Sequence, residues 1–204
     1  MTNDRLRKVD VPEGRSGDWE VARYTVSEDD AKRDEMHARI QAIQGRPYRP
    51  VPAGSYTRLT LHGDVVMSDT PSELHDHREP VRRAVLGRVL VNGLGLGVVL
   101  QAVLDEPAVE HLTVVEASPD VIALVAPHWR ARYGDRLTVV NADAFEWRPP
   151  KGARYDIVWH DIWSDITTDN LPEMRRLHAK YRMRCGWQGS WCKRECMALR
   201  RIGW

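Results

Sequence analysis

Residues 88–104, RVLVNGLGLGVVLQAVL, decide the fold class of this chain. The run Val89–Val91 is short and rich in β-branched and aliphatic residues, which is typical of a buried strand. Glycines then stand at every second position, and Val98–Leu104 has the length and apolar character of a buried helix. A strand, a glycine loop and a helix in this order predict the first unit of a Rossmann-like parallel sheet.

The spacing of the loop glycines bears on the ligand. Gly93, Gly95 and Gly97 form G-x-G-x-G, whereas NAD-binding loops need G-x-G-x-x-G, and Val98 stands where that third glycine would fall. Glycine permits a sharp turn and lets a ligand approach main-chain amides at the start of a helix. The shorter spacing is the form of S-adenosylmethionine (SAM) binding loops. A tight turn that binds no ligand is the alternative.

Strands and helices continue to alternate after this loop. The predicted strands are His111–Val115, Leu137–Val140 and Tyr155–Trp159, and the predicted helices are Pro119–Trp129, Leu171–Tyr181 and Trp191–Ile202. The segment Met183–Trp191 supplies a short fifth strand at best. We therefore predict an α/β fold with a class I SAM-binding parallel sheet that is shortened at its carboxyl end.

The residues before the sheet predict a helix and a β-hairpin. Residues 1–27 are polar and are expected to be irregular, apart from a strand in Trp19–Val26. A helix is predicted from Ser27 to Gln44, with a sparse apolar stripe and a stop at Gly45–Pro47. Tyr56–Leu61 and Val65–Met67 then alternate like the two strands of a hairpin, Ser68–His77 is expected to be a polar loop, and a short helix follows over Glu79–Leu86.

This organisation gives three predicted units. Residues 1–78 form an amino-terminal extension, residues 79–170 the Rossmann-like SAM-binding core, and residues 171–204 a helical segment that packs on the core.

Two acidic residues follow predicted strands at positions that suit a nucleoside. Glu116 ends the second strand, 19 residues after Gly97, where a carboxylate can accept both ribose hydroxyls. Asp143 follows the third strand and can accept from the exocyclic amine of adenine; Ala144 is assigned to the same cofactor site. The alternatives are that Glu116 caps the helix beginning near Pro119 and that Asp143 satisfies its own loop backbone.

Asp161 and Trp163 follow the fourth strand and are the candidates for chemistry. Open parallel sheets bind ligands at the carboxyl ends of their strands, so this segment would face the reacting end of a cofactor. Asp161 could orient or deprotonate an amine, and Trp163 could stack on a substrate or cover a cationic sulfonium. The alternatives are a loop cap and a core side chain.

Composition and charge narrow the classes of partner and location that remain. The formal net charge is +1, which gives no global electrostatic case for nucleic acid or membrane binding. A locally basic stretch after Arg175 leaves nucleic-acid contact open as the less favoured alternative. The apolar stretch Ala84–Leu104 carries polar residues and glycines and makes a poor membrane span. Three clustered cysteines without a CxxC pair predict a reducing, cytoplasmic location and no metal site.

Taken together, these motifs resemble the class I SAM-dependent methyltransferase superfamily, and within it the spermidine synthase (polyamine aminopropyltransferase) branch. The similarity runs from about Leu59 to Asp165. It includes the hairpin turn at Gly63 and the segments VLVNGLGLG (89–97), VVEASPDVI (114–122), NAD (141–143) and YDIVWHD (155–161). The synthases continue Asp-x-x-Asp-Pro after the fourth strand, whereas residues 161–165 read DIWSD. Residues 68–77 do not match the polyamine-binding segment of that branch.

The resemblance implies that Gly93, Gly95, Gly97, Glu116 and Asp143 bind the cofactor, and that Asp161 helps to activate an amine. The first functional hypothesis is a SAM-dependent methyltransferase of unknown acceptor, a small molecule or an amine. The second is an aminopropyltransferase that uses decarboxylated SAM, which acidic residues around Asp161 would favour because its acceptor is a polycation. The third is a SAM-binding or nucleoside-binding protein without catalysis. The spacing disfavours an NAD-dependent oxidoreductase, and a homodimer is left open.

Overall fold

The computed structural model describes residues 5–44 and 48–201, which form two β-sheets and the helices around them. One sheet has four strands in the order β1-β2-β3-β4, and the other has five strands in the order β7-β6-β5-β8-β9. Every pair in the first sheet is antiparallel, and every pair in the second is parallel. The predicted α/β fold with a Rossmann-like parallel sheet is confirmed.

The antiparallel sheet comprises β1 (Gly14–Ser16), β2 (Trp19–Val26), β3 (Gly54–Leu61) and β4 (Asp64–Ser68). The predicted hairpin is β3–β4, and both residues of its turn, His62 and Gly63, have positive φ, as tight hairpin turns require. Among the described residues before Trp19, residues 5–13 contain no helix or strand, as predicted, whereas the strand Gly14–Ser16 was not predicted. Strand β1 pairs with β2, and Val9 and Val11 are buried against the core, so tertiary contacts order a segment that is locally polar.

Helix α1 (Glu28–Ile43) lies where the sequence predicts it, and the Ser27 hydroxyl caps it by accepting the Asp30 amide at 3.1 Å. Its predicted stop at Gly45–Pro47 lies outside the described residues. The prediction that Ser68–His77 is a polar loop is wrong, because this segment contains helix α2 (Pro71–Asp76). Helix α3 (Arg78–Arg83) follows it after one residue. Pro71 stands at the start of α2, where its fixed φ favours a helix and its missing N–H costs nothing.

The parallel sheet is built from β5 (Gly87–Asn92), β6 (Val109–Glu116), β7 (Leu137–Asn141), β8 (Tyr155–His160) and β9 (Cys185–Ser190). Its helices are α4 (Val98–Leu104), α5 (Pro119–Tyr133), α6 (Asn170–Tyr181) and α7 (Lys193–Arg201). Strand β5 lies at the centre, and the chain reverses its direction of winding between β5 and β8. In open parallel sheets this switch point is where ligands bind.

The carboxyl-terminal part is helical apart from β9, which is the short fifth strand predicted within Met183–Trp191. Helix α6 buries Leu171, Met174, Leu177 and Tyr181, which follow the predicted helical period. Because β9 joins the parallel sheet, this part completes the core rather than only covering it. The boundaries 1–78, 79–170 and 171–204 stay predictions. Among the described residues, no helix is long and apolar enough to span a bilayer.

Candidate functional site

A cavity of about 400 Å³ lies at the carboxyl ends of the parallel strands, beneath the antiparallel sheet. This volume is in the range of small-molecule sites. Seven of the eight residues predicted from the sequence line it: Gly93, Gly95, Glu116, Asp143, Ala144, Asp161 and Trp163. The sequence motifs from separate strand ends therefore meet in one space.

Gly97 is the predicted site residue that does not line the cavity. It has a φ of 81° and precedes the first turn of α4, and a β-carbon there would clash with the indole of Trp129. The same indole donates a hydrogen bond to the carbonyl of Leu96 at 3.1 Å. Glycine at this position serves the packing of the loop on α5, and its predicted role in cofactor binding stays a prediction.

Backbone hydrogen bonds join the strand ends just beyond the sheet. The Gly93 amide donates to the carbonyl of Val115 at 2.8 Å, and the Asp161 amide donates to the carbonyl of Asn92 at 2.8 Å. A β-carbon on Gly93, whose φ is 99°, would clash with the carbonyl oxygen of Asp161. The glycine loop and the Asp161 segment are therefore fixed against each other by main-chain contacts.

Most amides of the glycine loop are already bonded within the protein. The Leu94 amide donates to Glu116 Oε2 at 2.8 Å, the Leu96 amide to Met67 Sδ at 3.3 Å, and the Gly97 amide to the Leu94 carbonyl at 2.9 Å. The glycine loop therefore lets a ligand approach the backbone closely, but it offers fewer free amide donors than the sequence led us to expect.

Glu116 stands at the end of β6 with both carboxylate oxygens engaged by backbone amides. Besides the bond from Leu94, Oε1 accepts the amide of Ser118 at 2.8 Å. Ser118 is the N-cap residue of α5, so Glu116 does order the start of this helix, as the alternative held. Each carboxylate oxygen has further lone-pair sites and can accept a hydroxyl as well. Both roles are therefore compatible.

Asp143 is arranged in a similar way. Its Oδ1 accepts the amides of Phe145 at 2.6 Å and Glu146 at 3.3 Å, so the loop-turn alternative is also observed. No bond to Oδ2 occurs within the part of the chain that the structure describes. Ala144 is buried beside it and Phe145 lines the same cavity. An aromatic ring and an oxygen acceptor at the end of β7 fit a purine base, and the whole donor and acceptor set fits a SAM-type nucleoside.

Acidic groups surround the other end of the cavity. Asp161, whose side chain is 17% exposed, has its pKa raised to about 7 by burial and by the charge of Asp76. Glu73, from α2, also lines the cavity, and its pKa is raised to about 7 by burial and by the charges of Asp161 and Asp76. Both carboxyl groups have a pKa of about 7 and line one cavity. A cationic ligand is favoured there because it would stabilise their charged forms.

His77 is a further cavity residue that sequence reasoning missed. It is 1% exposed, and its Nδ1 lies 3.7 Å from Asp161 Oδ2. Neither ring nitrogen has a hydrogen-bond partner among the described residues. Burial lowers the pKa of His77 to about 4, so the imidazole is neutral. Glu73 and His77 lie in the segment expected to be a loop; the Thr70-Pro71 pair followed by Glu73 was the signal for a helix there.

Trp163 lines the cavity with its indole tied to α6. Its Nε1 donates to Glu173 Oε2 at 2.7 Å, which fixes the ring. Trp19 and Trp191 line the same cavity from other elements. The predicted stacking or cation–π role of Trp163 stays a prediction, and the fixed ring is compatible with it.

No family model matches this chain. Among curated proteins, it is 36% identical over 117 residues to polyamine aminopropyltransferase 2 of Ralstonia nicotianae, an alignment covering 52% of this chain and 23% of the relative. It is likewise 36% identical over 115 residues to polyamine aminopropyltransferase 1 of Streptomyces coelicolor, covering 52% and 22%. The chain thus spans less than a quarter of the length of these relatives. The predicted resemblance to the aminopropyltransferase branch is confirmed.

Solved structures that resemble the chain include methyltransferases. CcbJ methyltransferase from Streptomyces caelestis matches with a TM-score of 0.40 and 20% identity, over 52% of this chain and 43% of that one. Mitomycin 7-O-methyltransferase MmcR matches with a TM-score of 0.40 and 21% identity, over 56% and 34%. At these values the fold class rests on the strand order of the chain itself.

Proposed function

We propose that this chain transfers an alkyl group from a SAM-type sulfonium nucleoside to an amine. One observation carries the proposal: a single cavity joins the nucleoside-type acceptors Glu116 and Asp143 to the carboxyl groups of Asp161 and Glu73. A nucleoside needs the first pair and a cationic amine needs the second. The curated relatives, which are named as aminopropyltransferases, are consistent with this pairing.

At the nucleoside end, the residues of the chain bind and orient. Glu116 lies at the end of β6 and Asp143 just beyond β7, adjacent strands about 4.8 Å apart. A ribose diol would reach Glu116, and an adenine amine would reach the unbonded oxygen of Asp143. Because backbone bonds already hold both carboxylates, little conformational entropy is lost when a ligand arrives.

At the acceptor end, Asp161 is the proposed catalytic residue. When bound, a sulfonium nucleoside supplies an electrophilic carbon whose transfer leaves a neutral thioether. The amine nitrogen forms the new C–N bond as the C–S bond breaks and its electron pair stays on sulfur. Asp161 receives the proton that the nitrogen sheds, and a carboxyl pKa of about 7 suits a base that works near neutrality.

Methyl transfer from SAM is the first form of this reaction; the glycine spacing favours a SAM-type donor over NAD and does not distinguish SAM from decarboxylated SAM. Aminopropyl transfer from decarboxylated SAM is the second candidate, and the acidic lining formed by Glu73 and Asp161 favours it. The larger transferred group carries its own ammonium, which two acidic groups can accommodate. A protein that binds the nucleoside without catalysis is the remaining alternative.

Calorimetry followed by mass spectrometry tests the proposal. The chain is titrated with SAM, S-adenosylhomocysteine, decarboxylated SAM, methylthioadenosine and NAD, and is then incubated with each donor and 1,4-diaminobutane or a monoamine. We expect binding of sulfonium nucleosides or their thioether products, no binding of NAD, and an alkylated amine with one donor. Tight NAD binding without SAM binding would refute the nucleoside assignment. Nucleoside binding without any product would favour the non-catalytic alternative.

A further inference from the structure

The His77 imidazole is a buried polar group without a partner, and it faces the cavity beside Asp161. It sits at the junction of α2 and α3, is 1% exposed, and packs edge-on against Trp159 with ring centroids 6.5 Å apart. Within the described chain, nothing bonds to either ring nitrogen. Leaving buried polar atoms unpaired is costly, and such groups in native proteins call for an explanation.

The position of His77 relative to Asp161 suggests what the partner is. Nδ1 lies 3.7 Å from Asp161 Oδ2, which is too far for a hydrogen bond between them. Nδ1 has almost no exposed surface in the ligand-free protein, so a covering side chain must shift; one donor nitrogen can then lie about 3 Å from both atoms and donate an N–H to each. The neutral state of the imidazole leaves a ring nitrogen free to accept.

We propose that His77 is a second residue that holds the acceptor, taking one N–H of a primary amine while Asp161 takes the other. This inference rests on the proposed function and adds the substrate class. A primary amine that has released its ammonium proton to solvent has two N–H donors, and with both bonded its lone pair points away from the two residues, toward the reacting carbon. A hydroxyl has one donor, and a secondary amine also has only one, so each leaves one of the two acceptors unpaired.

The reaction balances with this arrangement. The lone pair of the amine forms the C–N bond, the C–S bond breaks, and its electrons remain on sulfur. The nitrogen is then a secondary ammonium that still carries two N–H bonds. One proton passes to the Asp161 carboxylate, and His77 keeps the remaining N–H. His77 therefore holds both the substrate and the product without changing its own protonation state.

Two substitutions at His77 separate shape from hydrogen bonding. His77→Phe keeps a ring against Trp159 and removes both nitrogens, whereas His77→Asn keeps a polar atom near the position of Nδ1. His37→Asn, on the exposed face of α1, is the matched control. For His77→Phe we expect the KM for a primary amine to rise about tenfold, the size of one net hydrogen bond, with nucleoside affinity within about twofold. His77→Asn should recover much of this loss.

The discriminating readout is the ratio of kcat/KM for a primary amine to that for its N-methyl derivative. It should be high in the natural chain and should fall about tenfold in His77→Phe. An unchanged ratio and KM in a folded His77→Phe variant would show that the imidazole only fills space. A chain that binds nucleoside but alkylates no amine would instead overturn the proposed function.

Nitrogen NMR of the His77 ring gives a second measurement that does not depend on turnover. The natural chain is titrated with 1-aminobutane in the presence of methylthioadenosine, and the His77 resonances are identified by their loss in His77→Asn. A shift of a ring nitrogen that saturates with amine, and is smaller with 1-butanol, is expected. Resonances that do not move while amine binding is seen by calorimetry would overturn the role of His77.

Discussion

Replacing Asp161 by asparagine should stabilise the ligand-free protein, and increasingly so as the pH rises. The Asp161 carboxyl has an ordinary pKa of 3.8, and burial with the charge of Asp76 raises this to about 7 in the folded chain. A carboxyl group with a higher pKa in the folded state binds its proton more tightly there. Its contribution to stability is therefore present below about pH 4 and is lost as the pH rises to about 7.

The size of the effect follows from the two pKa values. A shift of about three pKa units corresponds to about 4 kcal/mol over the whole range. Integrating the proton linkage between pH 5 and pH 8 gives about 2.5 kcal/mol. Asparagine has nearly the same shape and does not titrate. Between pH 5 and pH 8, the free energy of unfolding of Asp161→Asn should therefore rise by about this amount relative to that of the natural chain.

Urea unfolding followed by tryptophan fluorescence measures this directly. The natural chain and Asp161→Asn are unfolded at pH 5, 6, 7 and 8, and the difference in the free energy of unfolding is plotted against pH. Asp165→Asn is the control, because Asp165 is an exposed acid four residues further on. If the difference for Asp161→Asn is the same at pH 5 and pH 8, the folded chain does not hold the proton on Asp161 and the reasoning fails.

Three further predictions concern the cavity and the glycine loop beside it. Asp161→Asn should lower turnover by about 10²–10⁴-fold, the usual contribution of a general base, with nucleoside affinity within a few-fold by calorimetry; full turnover would end its catalytic role. Glu116→Ala should weaken nucleoside binding by roughly 1.5–3 kcal/mol, the value of hydrogen bonds to a charged group, while circular dichroism shows an intact fold; normal affinity would leave Glu116 structural only. Gly97→Ala should lower the free energy of unfolding by about 1–3 kcal/mol more than Gly152→Ala. Both glycines have a φ near 80°, but of the two only Gly97 has a neighbour, Trp129, that a β-carbon would strike. Equal losses would argue against this packing role.

The sequence alone predicted the part of the site that comes from the parallel sheet. Strand ends are readable because apolar runs stop abruptly there, so Glu116, Asp143 and Asp161 could each be located from the chain. The fifth strand within Met183–Trp191 was predicted as well, although its glycines weaken the pattern. These features are local, and local patterns survive without knowledge of the tertiary structure.

The part of the site that comes from α2 was missed for a physical reason. Six residues form this helix, too few for a helical period to stand out, and most of its side chains are polar. Glu73 and His77 line the cavity because α2 packs on α3, which in turn packs on β8 and α4, and these are tertiary contacts. The burial of Val9 and Val11 was missed in the same way.

The backbone hydrogen bonds that join the strand ends fix the position of some cavity residues and leave others free to vary. Glu116 and Asp161 belong to segments on either side of β5, and the hydrogen bonds through Gly93 and Asn92 set their separation at about two strand spacings, or 10 Å. Glu73, in α2, and His77, between α2 and α3, take no part in this ladder. Substitutions at these two positions can therefore change which ligand this end of the cavity admits, while the separation between Glu116 and Asp161 is kept.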